Sequence, residues 1–151
     1  MDLSERQQLA AAFQIASEIH GWDQAIYNHF TARVGDCFLV HPFGLLFSEV
    51  TSSSLLEVEL SSGELVPGQQ VHPDAAADMP YNFTSYVLHS AVYKARPDVK
   101  CVLHVHVPCI VAVASSMSGM IIGLSQGFSR WFLFCFVFYP KLQKSHLWLV
   151  K

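Results

Sequence analysis

Charge is scarce in this chain. Only 14 % of its 151 residues are Asp, Glu, Lys or Arg, the net charge is −3, and no run of Lys or Arg occurs. That excludes the electrostatic footprint of a nucleic-acid or acidic-membrane binder. Cysteine is sparse too. Cys37, Cys101, Cys109 and Cys135 are far apart and form no C-x-x-C pair, so neither a disulfide framework nor a closed structural zinc site is expected. Long apolar runs are also missing. The stretch W-F-L-F-C-F-V-F-Y, Trp131 to Tyr139, falls short of the ~18–20 residues of a spanning helix and ends at Pro140. It reads as a buried strand or as a tail outside the fold. The opening M-D-L-S-E-R-Q-Q mixes charge signs where a secretory leader needs a basic and then an apolar segment, so a reduced, cytoplasmic protein is expected.

What the chain has in quantity is apolar: 52 % of it is hydrophobic, enough at this length for one domain burying roughly two thirds of its unfolded surface. Ser4 with Gln7 is a capping box, and Leu9, Phe13, Ala16 recur at helical spacing, predicting a helix from about Glu5 to His20. I-Y-N-H-F-T-A-R-V and C-F-L-V-H-P read as a hairpin about Gly35-Asp36. Thr51 can cap a short helix, and E-V-E-L-S-S-G-E-L-V predicts two strands around a Ser-Gly turn. Val66 to Pro80 is a loop. Asn82 or Thr84 can cap a second long helix, about Ser85 to Ala95, which must stop near Arg96 because Pro97 disfavours helical geometry before it. V-K-C-V-L-H-V-H-V is the strongest strand, and Pro108 suits the first turn of a helix closed by Gly119. The order helix, strands, helix, strand, helix predicts a layered α/β domain.

His104 and His106 stand out. A strand sends alternate side chains to one face, so the two imidazoles project together at the C-terminal end of a strand, where open α/β sheets tend to place sites. Spacing alone leaves two readings open: a pair of metal ligands, or two hydrogen-bonded core histidines. A catalytic zinc needs a third protein ligand, and His29, His41, His72, His89 and His146 are the candidates. No spacing selects among them; His89 reads as a residue behind the ligands, and His72 as a solvated loop residue.

Three blocks taken together resemble the class II aldolase and adducin N-terminal domain superfamily: I-Y-N-H-F-T-A-R, H-P-F-G-L-L-F-S-E-V-T-S-S-S-L-L, and L-H-S-A-V-Y-K-A-R-P-D-V-K-C-V-L-H-V-H-V-P. Their order and spacing fit from about Leu9 to Gln126. The resemblance implies a three-layer α/β/α fold with a mainly antiparallel sheet, incomplete at the C-terminus. Residues 1–126 would form a partial head domain and 127–151 a divergent apolar tail.

In the enzymes of this superfamily, such as fuculose-phosphate aldolase and ribulose-phosphate epimerase, a histidine pair binds zinc, and the metal stabilises an enediolate. His104 and His106 match that pair. The family's third ligand lies in a Leu-x-x-His-Gly segment with no counterpart here; His146 is followed by Leu. The general acid/base Glu of the aldolases, four residues before the histidine matching His89, is Ser85 in this chain. Asn28, Gly44 and Thr84 match the family's phosphate-binding residues in type, whereas Phe43 stands where a hydroxyl residue is usual. The second and third blocks look closer to adducin than to the bacterial enzymes. Adducins keep this domain as a non-catalytic head that self-associates within a membrane-skeleton protein capping actin and recruiting spectrin, while a neck and basic tail make most outside contacts. The resemblance therefore implies homo- or hetero-oligomers with adducin-like chains and a place at the cytoskeleton or inner face of the plasma membrane. The alternative it leaves is a zinc-dependent enzyme acting on a small sugar phosphate.

Overall fold

The computed structural model describes residues 4–23, 27–71, 79–108, 135–137 and 147–150. Helix α1 (Glu5–Glu18) begins at the capping box: Ser4 Oγ accepts the Gln7 N–H and Gln7 Oε1 accepts the Ser4 N–H. Such a cap contributes about 1 kcal/mol. Strands β1 (His29–Val34) and β2 (Cys37–Val40) form the expected hairpin, with Val34 opposite Cys37 and Gly35 at φ 59° in the two-residue turn.

Two expectations are corrected in the next segment. Thr51 does not cap a helix. A single 3-10 turn occupies Phe47–Glu49, after which the Ser54 N–H donates to Thr51 Oγ1 and the Thr51 N–H to Ser54 Oγ, closing a polar turn. Hydroxyls that bond locally in this way compete with helix formation. Strand β3 (Leu56–Glu59) follows, but the second strand expected after Gly63 shrinks to one bridge, Val58 opposite Leu65. The side chain of Gln69 takes the neighbouring stretch of edge: its Oε1 accepts the Glu57 N–H, and its Nε2 donates to the Glu57 carbonyl at 2.7 Å.

Helix α2 (Phe83–Ala95) starts two residues ahead of the expectation because Asn82 is its cap, accepting the Thr84 N–H at 3.0 Å, and it stops at Arg96. Strand β4 (Cys101–Val105) ends before the apolar run does, so His106 lies just past it. Two short strands, β5 (Cys135–Val137) and β6 (Leu147–Val150), extend the sheet beyond β4. His72, His146 and the helix expected after Pro108 lie outside the described residues.

Among the described residues the strand order is β3-β2-β1-β4-β6-β5, and every neighbouring pair is antiparallel. Side-chain alternation divides the core. Phe38, Val40, Val58 and Val102 pack with Tyr93 of α2 on one face, while Phe30, Leu39 and Val105 pack with Leu9 and Phe13 of α1 on the other. The fold is thus three layers, α/β/α, about an antiparallel sheet. No described helix is long and apolar enough to cross a membrane.

Candidate functional site

Two central strands and one helix converge under α2. Antiparallel pairing sets His29 directly opposite His104, and Thr31 opposite Val102. From above, Ser85, His89 and Tyr93 of α2 lie at i, i+4 and i+8, one buried stripe facing the sheet. His29, His89 and His104 are all at most 3 % exposed.

The polar groups of this stripe bond to one another. Tyr93 Oη lies 2.9 Å from Thr31 Oγ1, which lies 2.7 Å from His89 Nδ1. His89 Nε2 in turn lies 3.0 Å from His29 Nδ1. The His29 ring stacks on His104, with centroids 4.6 Å apart and planes 20° apart. Burial first, and then the neighbouring imidazoles, pushes His29 and His89 far below the usual histidine range, so both are neutral at physiological pH.

His104 and His106 meet as the H-x-H spacing foretold. Their Nε2 atoms are 2.9 Å apart, and their rings are edge to face. Because β4 stops at Val105, strand pairing does not place His106. Asn28 does: its Oδ1 accepts the His106 backbone N–H at 2.7 Å while its Nδ2 donates to the Trp22 carbonyl. The exposed Tyr27 ring lies against His106.

The other expected site residues are placed as follows. Gly44, at φ 97°, lines a small cavity of about 100 Å³ with Asp23, His41, Phe47 and Asn82. Neither Lys nor Arg is among that cavity's described lining. Thr84 is exposed in the first turn of α2, its N–H donated to Asn82. Asn28 is engaged at His106. Ser85 is fully buried, and its hydroxyl donates to the Asn82 carbonyl at 2.6 Å. Of the third-ligand candidates, His29 is held by His89 and stacked beside His104, and His41 lies between Phe13 and Phe47. Among the described residues, no set of three His, Cys, Asp or Glu side chains is arranged to hold a metal ion.

Sequence reasoning missed the joining of His29, Thr31, His89 and Tyr93 into one network. The spacings H-x-T on β1 and S-x-x-x-H-x-x-x-Y on α2 carry each half. Nothing local shows that the two halves meet.

A layered α/β/α domain about an antiparallel sheet of this order defines a known class. The chain belongs to the class II aldolase and adducin N-terminal domain family, whose model matches residues 7–139. It is 44 % identical to mouse (Mus musculus) alpha-adducin over 114 residues, covering 74 % of this chain and 15 % of the adducin. Among solved structures it is similar to an aldolase II superfamily protein from Pseudomonas syringae, with TM-score 0.66 and 36 % identity over 83 % of this chain and 50 % of that one. It is also similar to L-fuculose 1-phosphate aldolase from Glaciozyma antarctica, with TM-score 0.66 and 25 % identity over 96 % of this chain and 62 % of that one. The chain thus spans a small part of the adducin and about half to two thirds of the solved relatives.

Proposed function

We propose that this chain is an adducin-like head domain that works through self-association and protein contacts in the actin–spectrin membrane skeleton, without sugar-phosphate turnover. The observation that carries this reading is Ser85. It stands one turn before His89, where the family's aldolases place their acid/base carboxylate, and its proton is committed to the Asn82 carbonyl inside the core. A serine hydroxyl does not exchange protons at neutral pH without a base, and losing a positioned acid/base lowers rates by about 10²- to 10⁴-fold. The 44 % identity to alpha-adducin supports the same side. The small cavity at Gly44 supports it further, since an acidic Asp23 and apolar walls disfavour a phosphate.

The test pairs two measurements on the full chain: sedimentation alone and with an alpha-adducin head domain, and retro-aldol turnover on L-fuculose 1-phosphate with zinc supplied. Association without turnover is expected. Turnover that disappears in His104→Ala overturns the reading.

A second reading has its own observation, the convergence of His104 and His106. Zinc–nitrogen bonds of about 2.0–2.1 Å at tetrahedral angles set two ligand nitrogens about 3.3 Å apart. The observed 2.9 Å reaches that spacing with small ring rotations. The pair fits two positions of a divalent-cation site, and a bound zinc would supply Lewis-acid stabilisation of oxygen charge.

A further inference from the structure

We propose that Tyr93, Thr31, His89 and His29 form a directed hydrogen-bond chain that fixes the His104 ring, so that His29 is a positioning residue for the His104–His106 pair. The proposal rests on the second reading above and names the groups that hold the pair in place.

The direction follows from counting protons. A threonine hydroxyl has one proton to give, and Thr31 Oγ1 touches two partners, Tyr93 Oη and His89 Nδ1. If Tyr93 donates to Thr31, Thr31 donates to His89 Nδ1, and His89 must carry its proton on Nε2. That proton points at His29 Nδ1, 3.0 Å away, which leaves His29 protonated on Nε2. In the opposite direction Tyr93 Oη would accept from both Thr31 and the Val102 backbone N–H, and its own proton would be left over at a side chain 0 % exposed. Each direction leaves one terminal donor over, the Tyr93 hydroxyl or the His29 Nε2–H, and we take the direction that spares the fully buried hydroxyl. Each ring therefore has one tautomer.

The consequence reaches His104 through stacking. Register fixes the backbones of His29 and His104 opposite each other, but register does not fix ring rotation. His89 does that for His29, holding Nδ1, and the His29 face 4.6 Å away then limits how the His104 ring can turn. Ligand histidines are commonly oriented by a carboxylate or carbonyl behind them. Here a neighbouring imidazole, itself held by a hydroxyl pair, takes that part.

The experiment uses the full chain labelled with ¹⁵N-histidine, reading ring tautomers by long-range ¹H–¹⁵N correlation and titrating Co²⁺ alone against a chelator of known affinity. The wild type is expected to show single Nε2–H tautomers for His29 and His89. Thr31→Val removes the hydroxyl with little change of shape. It should turn those signals into tautomer mixtures, shift the His104 resonances and weaken Co²⁺ by about 10- to 100-fold. His29→Ala should weaken Co²⁺ likewise, and so should His29→Phe, which keeps a ring under His104 but has no nitrogen for His89 to hold, with the His104 resonances shifted in both while the chain stays folded. If the wild type binds Co²⁺ and all three variants match it with His104 unmoved, the positioning role is wrong and the cation reading survives. If no form binds Co²⁺ yet His104 shifts in Thr31→Val and His29→Ala, the cation reading falls and the positioning chain stands.

Discussion

His41 sits between the rings of Phe13 and Phe47, and its Nδ1 is buried without a hydrogen-bond partner among the described residues. Burial holds its pKa at about 4, against 6.5 for an unperturbed histidine. Between those values the unfolded chain binds a proton that the folded chain refuses. Stability is therefore complete above pH 6.5 and declines as pH falls toward 4, by about 3 kcal/mol through this residue. His29 and His89 are shifted in the same direction and steepen the decline. His41→Leu should remove about 2 kcal/mol of the stability difference between pH 7 and pH 5, read from urea midpoints. An unchanged difference would show that His41 is not a source of the acid sensitivity. At this scale the sequence was informative where spacing and chemistry coincide. His104 and His106 lie two apart at the end of β4, and their nitrogens meet as that spacing suggests, although His106 lies just past the strand and is placed by Asn28. His41 was one candidate ligand among several, because the phenylalanines around it come from α1 and from the 3-10 turn.

The edge of β3 shows what one side chain does for an element. Gln69 imitates a neighbouring strand's peptide group, meeting both the N–H and the carbonyl of Glu57 and donating also to the Val66 carbonyl. An open sheet edge is a template for pairing with other chains. Gln69→Ala is expected to lower stability by about 1–2 kcal/mol and to speed hydrogen exchange at the Glu57 amide ahead of the amides of β1. Uniform exchange across both strands would refute a local role for Gln69. Helix α1, the β1–β2 hairpin and the end of α2 were legible because each is signalled by adjacent residues: a capping box, a glycine turn, a proline. The missing second strand after Gly63 was not legible. Its sequence suits a strand, and what displaces it is a glutamine that arrives from outside that segment.

At the scale of the whole molecule the sheet separates two cores. Phe13 belongs to the α1 side and Val58 to the α2 side, each fully buried. Phe13→Leu and Val58→Ala should each lower stability by about 0.5–3 kcal/mol, and the double variant should equal their sum to within about 0.5 kcal/mol. A coupling well above that would mean that the sheet transmits strain between its faces. The sequence by itself determined the family, the layered α/β class and the spacing of the histidine pair. All of these reside in short-range pattern. Only the tertiary structure decided that His29 faces His104, that α2 lowers His89 and Tyr93 onto Thr31, and that Asn28 pins His106. Those contacts join positions some 60 to 80 residues apart. Strand register and helix placement create them, and both are settled by burying two apolar faces at once, which no local stretch of the chain encodes.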